Sequence, residues 1–153
     1  MDVQAMDGTG AGPRSGWRLG LPMAAGAGLL WNLYGLWQFL GSFRQTAESL
    51  VAGGRTAAQA EVYLSLPVWV TLAFAIVVVG GAVGTALLLV RRAAAVPVLA
   101  VSLVGYVVLF AGDLAHGVFA GAPVQLAIIS TVVVIAAALS ALSLFARKRG
   151  MLR

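Results

Sequence analysis

Four long apolar stretches, separated by short polar or charged segments, dominate the pattern of hydrophobic and polar positions along the chain. They cover residues 17–43, 67–90, 93–112 and 124–146. Each is long enough for a helix to cross the hydrocarbon core of a bilayer, which takes about 20 residues. The pattern therefore predicts an all-α integral membrane protein, with four transmembrane helices in an up-down bundle that forms one domain over residues 17–146.

The segments outside these stretches are short, and each predicts a separate feature. Residues 1–16 are rich in glycine and poor in apolar side chains, which predicts a flexible tail. Residues 147–153 form a basic C-terminal segment. In the first loop, Thr56 is followed three residues later by Gln59, which is a capping-box pattern. We therefore expect a short helix over residues 57–64, lying at the membrane interface.

Lys and Arg residues are distributed unevenly between the two sides of the predicted bundle. One side holds Arg44 and Arg55. The other side holds Arg14, Arg18, Arg91, Arg92, Arg147, Lys148, Arg149 and Arg153. Because cytoplasmic segments of membrane proteins carry the excess of Lys and Arg, we expect the N- and C-termini in the cytoplasm.

Composition supports a membrane protein and removes several other classes. Of the 153 residues, 61% are hydrophobic and 10% are charged, and the mean hydropathy is +0.97, whereas a soluble domain is about 25% charged. Membrane lipids are therefore expected partners. The net charge of +5 does not indicate a nucleic-acid partner, since the basic residues flank the apolar stretches and alternate with no exposed aromatic residues. The absence of cysteine excludes disulfides and thiolate chemistry.

Small residues recur at every fourth position of the first span. They are Gly16, Gly20, Ala24 and Gly28, followed by Asn32 in the same register. The second span has its own group, Gly80, Gly81 and Gly84. Close packing at small residues and interhelical hydrogen bonds drive helix association in lipid. We expect these two faces to pack on each other or on another chain, with the Asn32 amide bonding across a close helix contact.

Hydroxyl groups in the third and fourth spans have a simpler interpretation. The serines concerned are Ser102, Ser130, Ser140 and Ser143. Serine in a membrane helix usually bonds a carbonyl of its own helix, so we expect each of them to do so.

Asp113 and His116 are the candidate chemical pair, since a spacing of three places both on one helix face. The pair could orient an imidazole for proton transfer, bind a metal, or ligate a tetrapyrrole through His116, with Gly112 leaving room for the ring. The alternative is an interfacial polar pair that caps the helix, which we favour because one His and one Asp cannot complete a metal shell. We therefore expect no metal site and no resident cofactor, with a tetrapyrrole at His116 as the exception to test.

Catalysis and proton-coupled pumping are not expected either. No nucleophile-elbow motif surrounds any serine. The four spans hold no ionisable residue in their centres, where proton-coupled transporters carry theirs. We expect a protein that is not an enzyme.

Four short motifs resemble a group of small bacterial four-span membrane proteins that are labelled sugar transporters. The motifs are Trp31-Asn32-Leu33-x-Gly35, Pro67-x-Trp69-Val70-Thr71, Gly80-Gly81-x-x-Gly84 and Ser102-Leu103-x-Gly105. They fall within about half of the chain. The resemblance implies four helices in a bacterial cytoplasmic (inner) membrane.

Two functional hypotheses follow. In the first, the chain is a non-catalytic accessory or scaffold subunit that packs through its glycine-lined helices against a larger membrane complex, such as a pigment-bearing or redox complex. In the second, it is a small homo-oligomeric transporter of the resembling group, with Asn32, Tyr34 and Gln38 lining the path.

Overall fold

The computed structural model describes residues 14–153, with side-chain environments from residue 19 onward. Within this part of the chain the regular structure is entirely helical. The elements are α1 (Arg14–Ser42), α2 (Ala47–Ala52), α3 (Ala57–Leu64), α4 (Val68–Leu89), α5 (Ala95–Ala115) and α6 (Pro123–Lys148). Residues 1–13 of the predicted tail lie outside the described residues, and residues 14–16 belong to α1.

Three of the four long helices are long and apolar enough to cross a membrane, namely α4, α5 and α6. By length and composition, these three helices indicate a membrane protein. The remaining long helix, α1, has 29 residues and a length of about 43 Å, but it is not among the candidate spans found in the described residues. Glycines and the polar residues Asn32 and Gln38 interrupt its apolar sequence.

Two short capped helices connect α1 to α4. The expected helix over residues 57–64 is present as α3, and its capping box is formed. Thr56 Oγ1 accepts a hydrogen bond from the backbone N–H of Gln59 at 3.2 Å, and Gln59 Oε1 accepts one from the backbone N–H of Thr56 at 3.0 Å. The sequence prediction missed α2. Its capping box pairs Thr46 with Ser49, and serine is not the Glu or Gln that identifies the motif in a sequence.

The four long helices pack around a central antiparallel pair. Helices α4 and α5 form the most extensive contact, α1 packs on α4, α6 packs on α5, and α1 contacts α6 only sparsely. Two apolar clusters fill the interior. One contains Leu21, Ala25, Leu88, Ala95, Leu99, Leu139 and Ala146, and the other contains Val70, Val77, Tyr106 and Leu109.

The buried face of α1 follows an alternating spacing of four and three residues rather than four throughout. It runs through Leu21, Ala25, Gly28, Asn32 and Phe39. Four residues rotate a helix by about 400°, so a strict four-residue ladder turns away from its partner by about 40° at each step. Consequently, only the last two members of the predicted four-residue series, Gly28 and Asn32, are buried in the bundle.

The C-terminal segment folds back onto the turn between α4 and α5. Its last residue makes two backbone hydrogen bonds: Arg153 N donates to Arg91 O at 2.7 Å, and Ala93 N donates to Arg153 O at 2.7 Å. Met151 and Leu152 pack against the apolar cluster at this end of the bundle. The segment is therefore held at three consecutive residues.

Candidate functional site

Asn32 is buried inside the bundle, with 4% of its surface exposed. Its Nδ2 atom donates to the Gly28 carbonyl of the same helix at 2.8 Å, so the amide does not bond across the helix contact as we expected. Instead, Oδ1 lies directly against the backbone of Gly81, where an added Cβ would overlap it. Asn32 is thus a close packing contact between α1 and α4, made possible by the absence of a side chain at position 81.

The other buried glycines admit side chains from neighbouring helices. A Cβ at Gly28 would lie 2.7 Å from Leu139 Cδ2 of α6 and 3.3 Å from Thr85 Cγ2 of α4. Gly84 receives Leu99 at 2.7 Å, and Gly80 receives Ser102 at 3.3 Å. These glycines bring the four long helices together within one chain.

The predicted packing residues divide into an inner and an outer group. Gly28, Asn32 and the three glycines of α4 contact other helices of the bundle. By contrast, Gly20 and Ala24 are exposed, and nothing lies within 4 Å of a Cβ added at Gly20. Gly16 is in the first turn of α1, before the residues whose side-chain environment is described.

Two serines form interhelical hydrogen bonds, contrary to the sequence prediction. Ser102 Oγ of α5 donates to the Val77 carbonyl of α4 at 2.8 Å, and Ser140 Oγ of α6 donates to the Leu99 carbonyl of α5 at 3.2 Å. Ser143 follows the prediction and bonds the Ser140 carbonyl of its own helix at 2.7 Å. The interhelical partners are free to accept a second bond because a carbonyl oxygen has two lone pairs.

A cavity of about 10 Å³ lies beside Asn32, between all four long helices. It is lined by Trp31, Asn32, Gly81, Leu99, Ser102, Tyr106, Val132, Ile135, Ala136 and Leu139. Tyr106, one of the lining residues, makes no side-chain hydrogen bond to any described residue. The volume matches one water molecule and is far below that of a sugar.

Asp113 and His116 end α5 beside the start of α4. His116 is the C-cap residue, and its Nδ1 atom lies 2.8 Å from the Gly112 carbonyl oxygen. The Trp69 indole rests on Gly112, with Cη2 2.5 Å from an added Cβ, and its centroid is 5.9 Å from the His116 ring. The indole therefore occupies the space beside Gly112 that the tetrapyrrole hypothesis requires.

Asp113 is 6% exposed, and its carboxylate makes no hydrogen bond or ion pair within the described residues. Burial raises the pKa of the nearby Tyr63 hydroxyl, the Arg55 guanidinium lowers it, and the Asp113 carboxylate raises it. In the described part of the chain, no group of three or more His, Asp or Glu residues is placed to hold a metal ion.

Arg55 and Gln59 attach the α3 region to the start of α6. The Arg55 guanidinium lies 4.8 Å above the Tyr63 ring and donates to Gln125 Oε1 at 3.2 Å. Gln59 Nε2 donates to the Ala120 carbonyl at 3.3 Å. Sequence analysis did not identify the contacts to Gln125 and Ala120, because each joins residues more than 60 positions apart.

Tyr34 and Gln38 lie on the outer surface of α1, away from Asn32. Tyr34 is 54% exposed and stands between two tryptophans, with centroid distances of 6.4 Å to Trp31 and 6.0 Å to Trp37. The three residues that the transporter hypothesis places along one path therefore do not share a lining within one chain.

Comparisons with known proteins identify no relative of the chain. No protein-family model, no curated protein and no solved structure matches the chain.

Proposed function

We propose that the protein is a non-catalytic accessory or scaffold subunit whose exposed α1 face docks against a helix of a larger membrane complex. The observation that carries this proposal is that small and polar side chains are exposed on this face of α1. It exposes Gly20, Ala24, Tyr34 and Gln38 along a helix of 29 residues, which is long enough to cross the membrane. We place both the protein and the complex to which it docks in a bacterial inner membrane.

Small and polar side chains on an exposed helix face have a clear use at a helix contact. Without a hydrophobic drive between helices in lipid, association depends on close backbone approach and on hydrogen bonds. Gly20 and Ala24 permit close approach, while Gln38 and the Tyr34 hydroxyl supply donors and acceptors. A helix of another subunit would use all four.

The filled interior supports the same proposal. Glycine contacts, interhelical serine bonds and two apolar clusters occupy the space between the long helices. The cavity beside Asn32 has a volume of about 10 Å³, which is about enough for one water molecule. The surface, rather than the interior, is therefore where we place the function.

The proposal includes a membrane arrangement. Helix α1 is the fourth span, since it packs along α4 and its length matches that of a transmembrane helix. Helix α3 lies at the interface on the outer side, and both termini lie in the cytoplasm with most of the Lys and Arg residues.

Mild detergent extraction followed by native mass spectrometry tests the docking. We expect the wild-type chain to co-purify with other membrane subunits in fixed stoichiometry. Ala24→Leu should abolish this co-purification, because the larger side chain blocks close approach on the face where Ala24 is exposed. Ala127→Leu is the matched control, since Ala127 is an exposed alanine on α6.

Two results of the same measurement would count against the proposal. A chain that is monomeric, or that forms only a symmetric homo-oligomer, would contradict an accessory role. The symmetric oligomer would favour the transporter hypothesis, in which Tyr34 and Gln38 lie between copies.

A further inference from the structure

Two distant segments of the chain form one basic surface at the end of the bundle opposite α3. Two of the basic side chains on this surface come from the turn between α4 and α5. The other four come from the end of α6 and the C-terminal segment. We name as the basic platform the exposed residues Arg91, Arg92, Arg147, Lys148, Arg149 and Arg153.

The platform is a built structure rather than a loose charged tail. The paired backbone bonds between Arg153 and the α4–α5 turn, each 2.7 Å long, fix the two segments side by side. Gly150 makes the turn that allows this, with a φ of 67°, and Met151 N then donates to the Ala146 carbonyl at 2.9 Å. Arg91 has a φ of 59°, an uncommon conformation for a residue with a side chain.

No described acidic side chain neutralises this charge. The acidic residues in the described part of the chain are Glu48, Glu61 and Asp113, and all three belong to the other end of the bundle. The six platform side chains make no ion pair within the described residues. Arg149 lies 4.9 Å from the Phe145 ring, a contact that orients the guanidinium without removing its charge.

The position of the platform identifies its ligand. Helix α4 ends at Leu89, α5 begins at Ala95 and α6 ends at Lys148, so three candidate spans all reach this surface. A surface at the ends of spanning helices lies at the level of the lipid headgroups. We propose that the basic platform binds the phosphate groups of anionic phospholipids, which arginine recognises through paired hydrogen bonds.

Native mass spectrometry in detergent, with added phosphatidylglycerol or phosphatidylcholine, tests this proposal. We expect phosphatidylglycerol to bind the wild-type chain more tightly. Arg92→Gln should weaken that binding about fivefold, which corresponds to one lost basic contact near a membrane surface. Arg44→Gln is the matched control at the other end of the bundle, where we expect no change.

A second variant separates the shape of the platform from its charge. Gly150→Val keeps all six basic residues but strains the turn that positions Arg153, and we expect weaker phosphatidylglycerol binding with the fold retained by circular dichroism. Equal binding of the two lipids, or an equal effect of Arg92→Gln and Arg44→Gln, would overturn the proposal. Inorganic phosphate or a short oligonucleotide that displaces the lipid at equal concentration would also overturn it, because the site would then not select a headgroup.

Discussion

At the scale of single residues, the contact between Asn32 and Gly81 explains how a polar side chain is accommodated inside a membrane bundle. The Nδ2 group bonds the Gly28 carbonyl, so a donor does not remain unpaired. The Oδ1 atom fits against Gly81 because no Cβ is present there. We therefore expect Asn32 and Gly81 to be energetically coupled, although they belong to different helices.

We expect Gly81→Ala to destabilise the protein by about 1–3 kcal/mol, the usual cost of overpacking a filled interior. Thermal unfolding in detergent, followed by circular dichroism, measures this loss. Gly26→Ala is the control, since nothing lies within 4 Å of a Cβ added at Gly26. In an Asn32→Ala background, Gly81→Ala should cost much less, because the overlapping atom is gone. An equal cost in both backgrounds would show that the two residues are not coupled.

At the scale of helices, run length and the α3 capping box were readable from the sequence, while the α2 capping box and the contacts between helices were not. The four predicted apolar stretches differ from the long helices by at most three residues at any end, although only α4, α5 and α6 are candidate spans. The α3 capping box was equally direct. The partner of Ser102 could not be predicted, since the Val77 carbonyl lies 25 positions away and the choice between it and a carbonyl of its own helix depends on helix rotation.

The two kinds of serine bond predict different mutational costs. Ser102→Ala removes a bond between α5 and α4 and should cost about 0.6 kcal/mol, with about 1.7 kcal/mol as the upper bound known for such bonds. Ser143→Ala removes only a bond within α6 and should cost less, although both serines are equally buried, at 2% and 1% exposed. Unfolding of both variants under identical detergent conditions checks this order. A larger loss for Ser143→Ala would contradict the importance of the interhelical bond.

At the scale of the whole molecule, the ends of the bundle differ in chemistry. One end carries the basic platform. The other end, around the starts of α4 and α6, carries Asp113, His116, Tyr63 and Arg55. The sequence predicted this division from the positions of its charged residues. It did not predict that Trp69 fills the space beside Gly112, because helix ends 43 positions apart meet only after folding.

Cysteine labelling tests whether α1 spans the membrane. The chain contains no cysteine, so single-cysteine variants give unambiguous signals with a membrane-impermeant maleimide. If α1 spans, Ser15→Cys and Arg153→Cys should react only after the cells are permeabilised, whereas Glu48→Cys should react in intact cells. If α1 instead lies along the outer surface, Ser15→Cys will react in intact cells together with Glu48→Cys. That outcome would remove the fourth span, and with it the proposed docking of α1 against a helix within the bilayer.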